Sequence, residues 1–331
     1  MTLAPGLAAA QAFTARHRFQ WWEALPWIAA LAAYFAFPTY LSFGTQLLIT
    51  ILFALSLDLV MGYAGIVTLG HAAFFGAGAY TVGILAAHFG WNEPLSGLVA
   101  AGIVAGAVGL ASGVVLLRTQ GLTLLMLTLC TMALLEEGAN MGAAYTGGFD
   151  GIPGLSFKAI FGVFDFDPLF FRVQYFYALA VLFVCFIVVR MLVYSPFGES
   201  LTGIRENVLR MHAVGAPVRR RLVVAYTISA ALAGIAGGVF TQATAFVNLS
   251  TLGLDRAAGV LIMLILGGYG RLYGAFVGAI AYMVLEHLLS QAYPTAWQLG
   301  IGIVLIVVAL YARNGILGIA EVLRRRSRHR S

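Results

Sequence analysis

Long apolar runs follow one another from Trp22 to Ala312 with short polar gaps, and most approach the about 20 residues that cross a bilayer as a helix. The pattern predicts about ten spans: Trp22–Phe43, Thr45–Met61, His71–Phe89, Leu95–Leu117, Leu122–Ala139, Gln174–Tyr194, Leu222–Phe246, Leu254–Leu266, Leu272–Leu289 and Trp297–Ala312. The expected fold is all-α, a polytopic membrane helix bundle. One transmembrane domain, 22–312, would lie between an N-terminal segment, 1–21, and a basic tail, 313–331. The longest segment expected on the cytoplasmic side between spans is the loop 195–222.

An even number of spans puts both termini on one side. Lys and Arg accumulate in cytoplasmic loops, and a cytoplasmic N-terminus collects Arg16, Arg18, Arg118, Arg190, Arg205, Arg210, Arg219, Arg220, Arg221, Arg271, Arg313 and the tail arginines inside. Only Lys158, Arg172 and Arg256 then fall outside. A composition of 61% hydrophobic and 10% charged residues excludes a soluble globular domain. The formal charge of +6 is a consequence of topology, with no nucleic-acid partner implied. The RRRSRHR tail is expected against anionic lipid or a cytosolic partner. The first apolar run starts late and lacks a small-residue cleavage site, so no secretory leader is expected. Cys130 and Cys185 both fall within spans and suggest no disulfide framework.

Glycine supplies 39 of 331 residues, and its positions are ordered. Gly102, Gly106, Gly109 and Gly113 share one helix face, as do Ala72, Gly76, Ala79 and Gly83; Thr227, Ala231, Gly234 and Gly238; and Gly274, Gly278 and Ala281. In lipid, small faces let backbones approach closely, so these stripes read as packing seams. The stretch Gly62–Gly70 differs because its glycines do not share a face. It is either a turn between the second and third spans or a broken helix lining a transport path, since irregular backbone at membrane depth must be buried in protein or line a wet cavity.

Charged residues in or near spans are few. His71 is either a hydrogen-bonded structural residue or a proton carrier. Asp58, one turn before the irregular stretch, must face a polar interior, be paired or be protonated. Glu136 and Glu137 end the fifth span before the glycine-rich loop NMGAAYTGGFDGIPGL, whose turn residues suit a compact gate or docking surface. Glu286 and His287 end the ninth.

In the loop 195–222, Leu201, Ile204, Val208 and Met211 recur at helical spacing opposite Glu199, Arg205, Glu206 and Arg210, which predicts a short amphipathic helix ending near Gly215 and Pro217. Its mixed charges favour a protein partner over a lipid surface. A Walker A sequence requires G-x-x-x-x-G-K-[ST]. The chain's one lysine, Lys158, is followed by Ala159, so any ATPase must be a separate subunit. Intramembrane proteolysis would have to recruit Ser112 or His71, and no aligned base can be argued. No metal-ligand cluster is evident.

GYAGIVTLGHAAFFGAGAYT, TGGFDGIPGL, SPFGESLTGIRENVLRMHAVGAPVRRRLVVAYTISAALAGIAGG and GVLIMLILGGYGRLYGAFVGA resemble, in order, segments of the permease family of branched-chain amino acid ABC importers, in its M-type form. The likeness covers about Leu47 to Leu289. It implies a bacterial inner-membrane subunit paired with an H-type permease, two cytosolic ATPase subunits and a periplasmic solute-binding protein, with ATP and Mg held by partners and no cofactor in this chain. It also implies that Ile204, Arg205, Glu206, Asn207 and Gly215 meet the ATPase. Gly62, Tyr63, Gly65, Thr68, Gly70 and His71, with Asp58 beside them, would border the translocation path. Thr146, Gly147, Gly148 and Asp150 would lie on the external face where the binding protein docks. Asp58 stands where the family usually has Asn, and Ile66 and Val67 replace a Gln and a Leu. The expected function is passive alternating access for a branched-chain or related hydrophobic amino acid, without covalent chemistry. Alternatives are a urea or short-amide permease, and an ion-coupled carrier using Asp58, His71 and Glu136 as a relay.

Overall fold

The computed structural model describes residues 21–158, 171–294, 297–311, 315, 316 and 318, and the elements they form are helices and short turns. These are α1 (Leu25–Ala36), α2 (Leu41–Asp58), α3 (Ala72–Phe89), α4 (Pro94–Leu116), α5 (Leu122–Met141), α6 (Ala143–Thr146), α7 (Phe171–Val193), α8 (Pro196–Glu206), α9 (Val208–Ala213), α10 (Val218–Thr244), α11 (Leu254–Gly267), α12 (Leu272–Ala292) and α13 (Trp297–Tyr311). Among the described residues, eight helices are long and apolar enough to cross a membrane. The 12-residue α1 and the 15-residue α13 are shorter apolar helices at the remaining two expected positions.

The first expected span divides for a local reason. Pro38 pushes Phe37 out of the helical region, to φ −129° and ψ 62°, so α1 stops at Ala36. A 3-10 turn, Pro38–Tyr40, then leads into α2, which starts at Leu41 instead of Thr45. The N-terminal segment up to residue 20 and the tail arginines lie outside the described residues.

The glycine seams decide how the bundle closes. A methyl group on Gly102, Gly106, Gly109 or Gly113 of α4 would meet Ile235, Ala231, Ala230 or Tyr226 of α10. From the other side, Gly234 and Gly238 of α10 sit against Ala105, Ala101 and Leu98 of α4, so two expected seams face each other. Gly274 and Gly278 of α12 pack against Gly268 and Met263 at the end of α11. The α3 stripe behaves differently: Gly76 and Gly83 meet Leu252 and Val247, beyond the end of α10. Gly78, off that stripe, meets Gly234, while Gly237 presses on the backbone of Phe75 and Ala79.

Buried polar clips hold the end of α10 that follows this seam. Gln242 Nε2 donates to Pro94 O at 2.8 Å, Tyr177 Oη donates to Gln242 Oε1 at 2.7 Å, and Thr241 Oγ1 donates to Ala79 O at 3.1 Å. α2 and α10 are the most enclosed of the eight long helices and α5 the least. Cys130 is exposed and Cys185 buried, both unbridged.

Candidate functional site

The stretch after α2 interrupts the helix, with some of its residues buried in protein and others exposed. A π-helical turn, Leu59–Tyr63, widens the end of α2; Ala64 N–H then reaches Leu59 O at 3.3 Å and Ile66 N–H reaches Val60 O at 3.0 Å. From there to His71 the chain has no regular helix. Gly62, Ala64, Ile66, Thr68 and Gly70 are buried, whereas Tyr63 and Leu69 are partly exposed and Gly65 and Val67 exposed. That two-residue alternation is characteristic of an extended segment with an inner and an outer side.

The inner side meets the loop between α11 and α12. Asp58, fully buried, accepts a hydrogen bond from Gly270 N–H at 2.7 Å through Oδ1, while Oδ2 has no hydrogen-bond partner among the described residues. A methyl group on Gly62 would strike Asp58 Oδ1 and the Gly270 backbone, so only glycine fits there. Gly270 has φ +77°, in the left-handed region glycine favours. The Tyr63 hydroxyl is hydrogen-bonded to the Leu272 backbone at the start of α12. Asp58 is therefore turned toward a backbone amide, a role an asparagine would also fill. Asp58→Asn is expected to keep or raise the thermal unfolding midpoint of the detergent-solubilised protein, whereas Asp58→Ala, orphaning Gly270 N–H, is expected to lower stability by about 1–3 kcal/mol. An Asn variant as unstable as the Ala variant would contradict this geometry.

Arg205, the penultimate residue of α8, donates from Nη1 to Gly62 O. That carbonyl is available because the π turn ends regular pairing, with Ile66 N–H bonded to Val60 instead. The Arg205 stem lies across Gly65, whose φ is +74°. The structure thus brings Asp58, Gly62, Gly65 and Arg205 together around Gly270, a residue that sequence reasoning did not single out. The glycine-rich GGYG turn between two apolar helices was the available signal.

The expected single amphipathic helix after Ser195 is instead two. Ser195 caps α8 and Pro196 starts it, but Asn207 adopts an extended conformation (φ −159°, ψ 100°) and its Oδ1 accepts from Arg210 N–H at 2.9 Å, capping α9. The asparagine's affinity for a cap position overrides the hydrophobic period. Ile204 is buried, Arg205 and Glu206 are exposed, and Gly215, at φ +81°, turns the chain toward α10. Leu209 and Val214 project with 81% and 78% of their surface exposed.

His71 and Thr68 are buried apart from this group. His71 Nε2 is 2.9 Å from Ser56 Oγ, and the ring stacks on Phe53 at 5.6 Å between centroids. Ser56 O in turn accepts from Ser229 Oγ of α10. Thr68 Oγ1 accepts from Gly70 N–H at 3.1 Å, and Gly70 lies on the Thr128 backbone of α5. No hydrogen bond directly links Asp58, His71 and Glu136 among the described residues.

Thr146, Gly147, Gly148 and Asp150 form a turn at the end of α10 remote from α8. Thr146 Oγ1 donates to Ala139 O at 2.6 Å and accepts from Gly148 N–H at 3.2 Å; Gly147 and Gly148 have φ of +73° and +57°. The turn is anchored by an antiparallel bridge between Ile152 and Val247. Asp150 and Phe149 remain exposed.

Residues 39–310 match the family model described as branched-chain amino acid transport system, permease component. The chain belongs to this permease family. The permease is 28% identical to the high-affinity branched-chain amino acid transport system permease protein LivM of Escherichia coli K12, over 88% of this chain and 74% of the relative. It is 25% identical to the probable branched-chain amino acid transport permease LivM of Methanocaldococcus jannaschii, over 80% and 89%. It also resembles the autoinducer 2 import system permease LsrC of an Enterobacter species, with 32% identity over 78% and 76%. No solved structure matches. The permease is therefore a multi-pass, LivM-like membrane protein of the branched-chain amino acid ABC type.

Proposed function

We propose that this permease is the M-type membrane subunit of an ATP-driven importer for branched-chain or related hydrophobic amino acids. It would work with an H-type permease, two cytosolic ATPases and a periplasmic binding protein, with α8 and α9 on the cytoplasmic side of a bacterial inner membrane. The observation that carries this reading is the hydrogen bond from Arg205 of α8 to Gly62 O, which ties a surface loop directly to the break in the helix. A push on α8 by a partner ATPase is then passed to the break without an intermediary. The exposed Leu209 and Val214, flanked by Arg210 and Arg219, suit docking of such a partner. Similarity of part of the chain to LivH of Salmonella typhimurium, 28% over 39% of this chain, fits a pair of related permeases.

The outward residues of the extended segment, Tyr63, Gly65, Val67 and Leu69, border the solute path in this reading; Gly62, Thr68, Gly70, His71 and Asp58 shape it from behind. The turn at Thr146–Asp150 faces the binding protein. ATP and Mg reside in the partners.

Reconstitution of the complete assembly in proteoliposomes tests the proposal. Leucine uptake is expected only with ATP, the ATPases and the loaded binding protein present. Uptake by the permease alone, driven by an ion gradient and indifferent to ATP, would replace it with an ion-coupled carrier. Uptake of urea in preference to leucine would move the solute class to short amides.

A further inference from the structure

Arg256, expected on the external side of the membrane, is the third residue of α11 and is half-buried. Its guanidinium carbon sits 4.8 Å from the ring centre of Phe75 in α3 and 4.6 Å from that of Phe240 in α10. Two aromatic faces thus hold a cation among apolar helices. It makes no hydrogen bond and no ion pair with any described residue. The guanidinium carries five N–H donors in a planar fork, so this arrangement leaves a strong carboxylate-binding group clamped and unused.

The seam between α11 and α12 brings a carboxylate to the same level. Gly267 packs on Gly274, Gly278 on Met263, and Gly259 lies 3.6 Å from the Tyr282 hydroxyl, measured from an added methyl group. Along this antiparallel register the next turn sets Asp255 and Arg256 opposite Glu286. Arg256 and Glu286 make no ion pair with each other. Both are half-buried, so each remains open on one side. Phe240 lies 22 residues along α10 from Val218, or ~33 Å at the helical rise, placing the pair far from α8.

A half-buried cation held between two rings, with a carboxylate at the same level of the neighbouring helix, matches one solute chemistry. An amino-acid zwitterion presents a carboxylate and an ammonium one carbon apart, together with an apolar side chain. We propose that Arg256 and Glu286 bind the carboxylate and the ammonium group of a free amino acid during its passage, with Phe75 and Phe240 fixing the guanidinium. The fork on Arg256 would take the solute carboxylate bidentately. Glu286 would take the ammonium. The site rests on the amino-acid reading given above and adds to it a place of recognition inside the membrane subunit itself.

Leucine uptake by the complete assembly in proteoliposomes, compared for the unaltered protein, Arg256→Met, Arg256→Lys and Glu286→Gln, tests this. Methionine keeps a flexible apolar stem between the two rings while removing the charge. Arg256→Met and Glu286→Gln are each expected to lower leucine uptake about tenfold, with partial recovery in Arg256→Lys. Size-exclusion chromatography is expected to show intact assembly for the Lys and Gln variants. Uptake within about twofold of the unaltered protein in both Arg256→Met and Glu286→Gln overturns the site while leaving the amino-acid reading standing. Absence of leucine uptake by the unaltered assembly overturns the reading and the site together.

Discussion

Arg205→Ala is expected to lower solute uptake about tenfold or more in the reconstituted assembly, while the partner ATPases continue to hydrolyse ATP. The reason is that Arg205 is exposed, so its loss does not open a core, yet its Nη1 is the donor to Gly62 O. A hydrogen bond from a charged donor contributes about 1.5–3 kcal/mol, and each ~1.4 kcal/mol of lost coupling corresponds to a factor of ten. The alanine variant also withdraws the stem that lies across Gly65, freeing the extended segment from α8. Arg205→Lys is expected to fall between the two, because lysine supplies a donor of different reach and no planar fork. Uptake and ATP turnover measured on the same proteoliposomes distinguish uncoupling, in which only uptake falls, from loss of assembly, in which both fall.

Gly78→Val is expected to prevent recovery of a folded permease. A side chain on Gly78 would collide with the Gly234 backbone, where α3 and α10 lie too close for any Cβ. Overpacking by a methyl group typically costs ~1–3 kcal/mol, and backbone atoms cannot move aside as a flexible side chain can. Gly78→Ala is therefore expected to lower the thermal unfolding midpoint, and valine to abolish monodisperse protein. Gly138→Ala in α5 is the control, because nothing lies within 4 Å of an added methyl group. Its stability is expected to hold or to rise by up to ~1 kcal/mol from improved helix propensity. Equal tolerance at positions 78 and 138 would contradict the close approach.

The seams on α4 and α10 were legible from spacing because a small-residue stripe has one efficient use in lipid, and the two stripes meet each other. The α3 stripe is also a close-packed face, but sequence does not show which neighbour covers it: Leu252 and Val247 lie on Gly76 and Gly83, and Gly78, off the stripe, is the contact with Gly234. Pro38 marked the end of α1 in advance, but an unbroken apolar run concealed it. The break at Gly62–Gly70 was legible as irregular backbone, whereas its inner and outer sides depend on Gly270, 200 and more positions away in the chain. Asn207 split the loop helix through a capping bond that a hydrophobic period does not register. Counting charges by loop assigned Arg256 a side of the membrane but gave no sign that two phenylalanine rings hold its guanidinium.

The most direct test of the link between α8 and the helix break is hydrogen–deuterium exchange on the assembled transporter, followed at residues 59–70 with and without a non-hydrolysable ATP analogue. If Arg205 carries the signal, nucleotide changes exchange over 59–70 in the unaltered protein, and the change disappears in Arg205→Ala while exchange in α8 still responds. A nucleotide response at 59–70 that is the same in both proteins would contradict transmission through the Arg205 to Gly62 contact.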